Sequence, residues 1–264
     1  MILFASSLVV YFVSALVSHF SVVTRKDRSA LLGLGLTILA AVLHIGVIVE
    51  RWVVAGHPPM VHLYELVLMY SWLIVVVSLV LSLRFSIMWL RSLAAAIGAL
   101  ALASASFMDD TVKPLVPALQ SNWLTIHVAT SFVSYAGLTV SFILAVAFLA
   151  KQARKEASDR PDELADRYES LVYKCVLFSF PVLTVGIVTG SVWAKRAWGA
   201  YWSWDPKEVW SLVTWLIYAI YLHLRLRPNW RGKRAITLNM VGFAAVLFTW
   251  FGVNYLLSGL HSYK

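Results

Sequence analysis

Apolar residues are grouped in eight blocks along the chain, separated by short polar stretches. The blocks run over residues 2–23, 31–49, 62–83, 88–107, 123–150, 171–193, 207–226 and 235–257. Each block is close to the roughly 20 residues that an α-helix needs to cross a hydrocarbon layer. The pattern therefore predicts about eight transmembrane helices, with residues 151–170 as the one long polar stretch between them.

The composition favours a membrane protein over a soluble one. Hydrophobic residues make up 60% of the 264 positions, charged residues make up 13%, and the mean hydropathy is +0.77. A soluble domain carries roughly 25% charged residues. We expect an all-α, polytopic membrane helix bundle that forms a single integral domain over residues 1–264. The net charge of +9 does not indicate a nucleic-acid partner, because the basic residues lie in short loops between apolar blocks.

Basic residues are divided unequally between the two sides of the predicted membrane. The loops on one side hold 16 of the 22 Lys and Arg residues, and those on the other side hold 6. By the positive-inside rule, the richer side is cytoplasmic. This places the loop 151–170 in the cytoplasm, and it places both termini and the loop 194–206 on the outer, periplasmic side.

The outer loop between the sixth and seventh spans is unusually rich in aromatic residues. Five Trp and one Tyr lie within 18 residues: Trp193, Trp198, Tyr201, Trp202, Trp204 and Trp210. Ring faces at this density are typical of a site for a flat apolar ligand with a polar edge. Lys195, Arg196 and Lys207 could pair with carboxylates on such a ligand. Asp205, Pro206 and Glu208 also form the pattern of a capping box that begins span seven.

Two of the seven histidines are expected at the depth of this loop. His127 lies about four residues into span five and His261 just beyond span eight, so both fall at or near the outer interface. Two imidazoles at one depth could bind one iron from both faces, although a structural role for each stays open. His223 lies roughly 24 Å deeper and could serve a second, inner site. His44, His57 and His62 remain as alternative ligands.

Four segments of the chain resemble one known family. The loop and the helix after it, WGAYWSWDPKEVWSLVTWLIYAIYLH, resemble the tryptophan-rich WWD signature of the haem-handling proteins of cytochrome c maturation. The WSWDPKE form, together with HPPMVHLYELVLMYSW, WLTIHVATSFVSYA and FGVNYLLSGLHSY, is similar to the CcsA (ResC) family. The resemblance runs from about residue 40 to the C-terminus.

The resemblance implies the haem-handling subunit of a cytochrome c synthase, or haem lyase. Such a subunit presents non-covalent haem b for thioether attachment to the CxxCH cysteines of an apocytochrome c. His127 and His261 would be the axial ligands of an external haem, and His223 would share an inner site with a CcsB (ResB)-type membrane subunit. The WWD residues implied to bind the haem are Trp198, Trp202, Trp204 and Asp205. Because Cys175 is the one cysteine, thiol-reducing proteins are expected as further partners.

Other functions remain as alternatives. The nearest is a haem exporter or chaperone similar to CcmC, which would use the same loop to deliver haem without attaching it. A bis-His membrane cytochrome fits less well, because the spans offer no two intramembrane His pairs at matching depths. A secondary transporter would need midplane charges, of which this chain shows few. We expect the bacterial inner membrane as the location, with the thylakoid membrane as the alternative.

Overall fold

The structure is a computed structural model that describes residues 2–155, 163–257 and 259. The regular structure in these residues is helical, which confirms the all-α prediction. The helices are α1 (Ile2–Thr24), α2 (Asp27–Ala55), α3 (Leu63–Phe85), α4 (Met88–Ala105), α5 (Asn122–Lys155), α6 (Glu163–Trp198), α7 (Pro206–Arg225), α8 (Lys233–Leu247) and α9 (Val253–Leu256). A 3₁₀ turn at Pro117–Leu119 precedes α5, and a π-helical stretch at Phe248–Gly252 joins α8 to α9.

Seven of the described helical segments are long and apolar enough to cross a membrane. They are α1 to α6 and the run Lys233–Leu256, which combines α8, the π-helical stretch and α9. The remaining predicted span, the seventh, corresponds to α7, which has 20 residues but is less apolar, because Lys207, Glu208 and Arg225 lie in its end turns. The multi-pass helical fold is thus confirmed. The side of the membrane on which the termini lie stays a prediction.

Helices α5 and α6 extend beyond the predicted spans. Helix α5 continues to Lys155 and α6 begins at Glu163, so both ends of the predicted loop 151–170 are helical. Lys, Gln, Ala, Glu and Arg are strong helix formers. The hydropathy pattern therefore marks where the apolar stretch ends rather than where the helix ends. Residues 156–162 lie outside the described part of the chain, as does His261.

The chain packs as two compact units, the first ending at Gln120 and the second beginning at Ser121. Helices α1 to α4 belong to the first unit, and α5 to α9 belong to the second. The single integral domain over residues 1–264 stays a prediction.

Within the first unit, α1 and α2 pack closely through small residues. The buried face of α1 repeats at three- and four-residue spacing and consists of Ser7, Tyr11, Ser14, Ser18 and Ser21. Ser14 Oγ lies 2.7 Å from Thr37 Oγ1, and a Cβ on Gly33 would lie 2.5 Å from Ser18 Oγ. Such residues let helices approach closely in lipid, where apolar burial does not drive helices together.

A buried ion pair fastens the first unit where α2 ends and α3 begins. Arg51 Nε donates to Glu65 Oε1 at 3.1 Å, and the two side chains are 10% and 0% exposed. Glu65 Oε2 accepts from the backbone N–H groups of residues 61 and 62 at 3.2 Å. The Arg51 guanidinium also donates to the carbonyls of residues 110 and 111. Glu65 and Arg51 therefore tie the loop before α3 and the segment after α4 to the end of α2.

Within the second unit, α5 and α6 pack along each other through small residues. A Cβ on Gly137 would clash with Ser179 Oγ, and Ser134 Oγ donates to the Ser179 carbonyl at 2.9 Å. Helix α8 packs on α5, with the stacked rings of Phe142 and Phe243 at 4.5 Å between centroids. These contacts hold α5 and α6 side by side, and the start of α5 and the end of α6 position side chains of the candidate site.

Candidate functional site

The tryptophan-rich loop is shorter than predicted, because α6 continues to Trp198 and α7 begins at Pro206. Helix α6 ends where Gly199 adopts a φ of +85° and its N–H donates to the Lys195 carbonyl at 3.1 Å. Glycine takes this left-handed conformation without strain and commonly ends helices. Residues 199–205 alone are therefore non-helical in this part of the chain.

The Asp205 carboxylate caps the N-terminus of α7, and the predicted capping box is confirmed. Asp205 Oδ2 accepts from the Lys207 backbone N–H at 2.9 Å, and Glu208 Oε2 accepts from the Asp205 N–H at 3.2 Å. Glu208 Oε2 also accepts from the Ser203 N–H at 2.7 Å. The two carboxylates thus hold both the first turn of α7 and the loop before it.

The Trp rings of the loop range from buried to exposed. Trp193 is 3% exposed and contacts Trp198 edge-on, with 4.7 Å between centroids. Trp202 and Trp204 meet at 90° with 5.9 Å between centroids, and Trp204 is 72% exposed. Trp204 also has a φ of +60°, which costs a non-glycine residue roughly 1–2 kcal/mol. An exposed ring held in a strained conformation makes Trp204 a candidate functional residue.

His127 lies near the start of α5, in a notch formed by two glycines of α6. Its Nδ1 lies 2.7 Å from the Gly186 carbonyl oxygen, and a Cβ on Gly190 would lie 2.5 Å from the same Nδ1. Because a carbonyl only accepts, Nδ1 carries the proton of the neutral ring and Nε2 carries the lone pair. Metal-ligating histidines are commonly oriented by such a bond. The half-buried ring therefore has the orienting bond that metal-ligating histidines commonly have, and its Nε2 lone pair takes no part in that bond.

Two further features of the site were not predicted. Gly186 and Gly190 form a GxxxG pair, and this pattern marks close helix contacts in apolar helices, so the signal for the notch was present in the sequence. The π-helical stretch Phe248–Gly252 had no comparable signal. Within it, Trp250 contacts Phe132 of α5 at 5.7 Å between ring centroids. Such π-helical turns are frequent at functional sites.

The C-terminal end of the described chain packs on the cap of α7. A Cβ on Gly259 would clash with Asp205 Oδ1, so the Gly259 backbone lies against that carboxylate. Lys207 Nζ donates to Asn254 Oδ1 at 3.3 Å, and the charge of Lys207 acts electrostatically on His127. The start of α5, the end of α6, the start of α7 and the C-terminal segment thus meet at one end of the second unit.

His223 lies at the opposite end of α7, about 25 Å along the helix axis from its start. The residue is exposed. Two residues further on, Arg225 forms a 3.0 Å ion pair with Glu169 of α6. The structure therefore separates His223 from the tryptophan loop, and its role in an inner site stays a prediction.

The three alternative histidines lie in the first unit and have local partners. His44 is fully buried, with its Nδ1 3.4 Å from the Tyr11 hydroxyl. His57 Nδ1 lies 3.1 Å from the carbonyl oxygen of the next residue, and the His62 side chain caps α3. In the described part of the chain, no group of three or more His, Cys, Asp or Glu side chains is arranged to hold a metal ion.

The fold and the site together define a multi-pass helical membrane protein with an aromatic, histidine-containing site at one end of its helices. A family model described as cytochrome C assembly protein matches residues 60–261. The cytochrome c biogenesis proteins CcsA of Guillardia theta and Parasynechococcus marenigrum are 36% and 37% identical to the chain. Those matches cover 88% and 94% of this chain, and 85% and 91% of the relatives. The chain belongs to the CcsA family of cytochrome c assembly proteins, and its role lies in cytochrome c maturation.

Two other similar proteins are longer than the part that matches this chain. The CcsA protein of Chlamydomonas reinhardtii is 39% identical over 81% of this chain, and the match spans 63% of that relative. Among solved structures, the cytochrome c haem lyase CcmF is similar, with a TM-score of 0.70 and 18% identity. That match covers 94% of this chain and 45% of CcmF, and it shows a shared fold.

Proposed function

We propose that this chain is the haem-handling subunit of a cytochrome c synthase. It presents haem b at the end of the second unit, where the vinyl groups of the ring are joined by thioether bonds to the CxxCH cysteines of an apocytochrome c. One observation carries the proposal. In a member of a cytochrome c assembly family, the His127 imidazole is fixed by the Gly186 carbonyl with Nε2 left for iron.

His261 is proposed as the second axial ligand of this haem. It lies outside the described residues, but Gly259, two residues earlier, packs on the cap of α7. Two residues of chain reach at most about 7 Å, so the position of Gly259 supports a ligand at the same end of the unit as His127. Two imidazoles fill both axial positions of the iron and hold the haem without a covalent bond.

The WWD residues Trp198, Trp202, Trp204 and Asp205 are proposed to bind or support the porphyrin ring. The exposed indole of Trp204 offers a face on which a flat ring can stack. Its contact with Trp202 and the bonds of Glu208 to the loop limit the orientations of that face. Asp205 is buried and acts by holding the loop. The aromatic residues would thus orient the ring, while the histidines fix the iron.

The attachment step needs no oxidant. A cysteine thiol adds across a vinyl C=C bond of the haem, so that an S–C bond forms at one carbon and the thiol hydrogen ends on the other. No atom leaves, and no electrons are lost or gained. This chain supplies no thiol for the step, because its one cysteine, Cys175, is buried in α6. The thiols belong to the apocytochrome, and thiol-reducing partner proteins are proposed to keep them reduced.

His223 is proposed for an inner haem site, whose second histidine comes from a CcsB (ResB)-type membrane subunit. The exposure of His223 would leave its imidazole accessible to such a subunit. The excess of basic residues in the opposite loops supports placing the tryptophan loop on the periplasmic face of a bacterial inner membrane. The thylakoid membrane is the alternative location.

Haem binding by the purified protein tests the ligand assignment. The wild type in detergent should carry non-covalent haem with a low-spin bis-His absorbance spectrum. His127→Ala and His261→Ala should each lose the haem or shift the spectrum, and imidazole should restore the spectrum of His127→Gly by filling the vacated position. His19→Ala changes an exposed histidine of α1 and should keep the wild-type spectrum. An unchanged spectrum and haem content in both ligand variants would refute the external site.

Co-expression with a CcsB-type subunit and a reporter apocytochrome distinguishes attachment from delivery. Covalent haem on the reporter that requires both membrane subunits and His127 supports the synthase. If the reporter stays without covalent haem while haem still reaches the outer side in a His127-dependent manner, the chain exports or chaperones haem, as in the CcmC-like alternative.

A further inference from the structure

Three cations flank the tryptophan loop, and two of them support it directly. Lys195 Nζ donates to the Gly199 carbonyl at 2.8 Å and lies 5.8 Å from the centre of the Tyr201 ring. The Arg196 guanidinium lies 5.8 Å from the centre of the Trp123 ring of α5. Both charged groups therefore have contacts that explain their positions without a ligand.

The third cation, Lys207, has a neutral hydrogen-bond partner in the described part of the chain. Lys207 is half-buried as a residue. Among the described residues, its ammonium donates to the amide oxygen of the exposed Asn254 at 3.3 Å, and none of their ion pairs includes it. Asp205 acts on Lys207 electrostatically, but its carboxylate accepts backbone hydrogen bonds at the start of α7. A cation partly removed from water is stabilised by a carboxylate in direct contact, and Lys207 lacks such a partner in the described chain.

The Lys207 ammonium also lies at the same end of the second unit as the proposed iron ligand, because Asn254 joins it to Trp250, which contacts Phe132 of α5. The backbone N–H of Lys207 donates to Asp205 in the cap of α7, beside the tryptophan loop. The charge of Lys207 acts electrostatically on His127. Its partner Asn254 follows the π-helical stretch and is held in turn, because Asn254 Nδ2 donates to the Trp250 carbonyl at 2.6 Å. A single ligand whose iron binds His127 and whose edge carries a carboxylate would therefore satisfy both the imidazole and the Lys207 ammonium.

We infer that Lys207 binds a propionate of the haem, with Asn254 positioning the ammonium. The inference rests on the proposed function, because it requires haem bound through His127. A propionate at this position gives the ammonium its missing counter-ion and forms a charge-assisted hydrogen bond. It also fixes the rotation of the porphyrin about the iron–nitrogen bond. Lys207 therefore determines which edge of the ring, propionate or vinyl, is open to the apocytochrome.

Haem dimethyl ester, in which both propionates are blocked, isolates this interaction. The wild type should bind the ester about 10- to 100-fold more weakly than haem, the range expected for a hydrogen bond to a charged group. Lys207→Met should weaken haem binding by a similar factor and leave ester binding unchanged, so that the preference for haem is lost. Lys207→Gln keeps a donor for Asn254 without the charge and should behave in the same way, which covers the case of a Lys207→Met variant that does not fold.

Lys195→Met removes the same charge from the other side of the tryptophan loop and should keep the preference for haem over the ester. An equal loss of preference in this variant, or a preference that persists in both Lys207 variants, overturns the inference. Either result leaves the proposed function standing, provided that the low-spin spectrum still depends on His127. A wild-type protein without a His127-dependent spectrum would instead refute the proposed function, and the inference with it.

Discussion

Replacing Gly190 with Ala tests whether α6 determines the position of His127. The added methyl group would lie 2.5 Å from His127 Nδ1 and 2.7 Å from its Cε1. Unstrained contacts between carbon atoms are about 3.5–4.0 Å, so the ring and α6 must separate by about 1 Å. The distance from Nδ1 to the Gly186 oxygen is 2.7 Å, and a separation of this size takes it past the limit for a hydrogen bond.

We expect Gly190→Ala to reduce stability and to abolish the proposed iron ligation. Overpacking of this kind costs about 1–3 kcal/mol, and loss of the Gly186 bond adds about 1 kcal/mol. Alanine in place of a helical glycine offsets about 1 kcal/mol of this, which leaves a net destabilisation of about 1–3 kcal/mol. Metal–nitrogen bonds to histidine are about 2 Å long. A shift of about 1 Å therefore moves Nε2 by half a bond length, and the low-spin spectrum should be lost.

Thermal unfolding in detergent and the haem spectrum measure these two effects separately. Gly35→Ala is the matched control, because no described atom beyond its own helical turn lies within 4 Å of the added Cβ. The control should be neutral or stabilising by up to about 1 kcal/mol and should keep the spectrum. If Gly190→Ala unfolds at the same temperature as Gly35→Ala and retains the wild-type spectrum, His127 does not lie in the notch.

Three further predictions concern the packing within the two units and the conformation of the tryptophan loop. Glu65→Gln should lower the free energy of unfolding by about 3–5 kcal/mol, because it leaves the largely buried Arg51 guanidinium without its counter-ion; unchanged thermal unfolding would contradict a buried pair. Trp204→Gly should be more stable than Trp204→Ala by about 1 kcal/mol, since glycine accepts a φ of +60° without strain. Both Trp204 variants should bind haem equally weakly in a titration, and a difference between them would show that the indole is not the binding group. Gly137→Ala should cost about 1–3 kcal/mol, and Ser179→Ala should rescue it, because the remaining Ser179 Cβ lies 3.5 Å from the new methyl. A double-mutant cycle of unfolding free energies without coupling would refute that contact.

The helices and the cap of α7 were predictable because both depend on local sequence. The length of an apolar block is enough to identify a membrane helix, so the first seven blocks correspond to α1 to α7 and the last to the run from α8 to α9. The capping box is equally local, since Asp205 and Glu208 bond to backbone groups within three residues. The helix ends were less predictable, because polar helix formers carry α5 to Lys155 and begin α6 at Glu163.

The contacts between helices were not predictable for a physical reason. In water, an apolar stripe on a helix shows which face is buried, but lipid is as apolar as the protein interior, so this periodicity is lost. The buried face of α3 includes Glu65 among leucines and serines, and nothing in its pattern identifies Arg51 as the partner. The GxxxG pair of Gly186 and Gly190 marks a close helix contact, but it does not identify His127 as the side chain that fits against it. The conformation of Trp204 depends on the closure of the whole loop.

In the proposed haem site, the environment of His127 indicates which axial ligand the product should displace. For a cytochrome to leave with its haem, the histidine of its CxxCH motif must take one axial position on the iron. Displacing His127 would require breaking its bond to Gly186, at a cost of about 1 kcal/mol, and moving the ring out of a notch that it fills. We therefore expect the incoming histidine to replace His261. With a CxxCH peptide added to the haem-loaded protein, His261→Ala should reach the same mixed-ligand spectrum as the wild type, whereas His127→Ala should not. Equal final spectra in both variants would show that the notch does not direct the exchange.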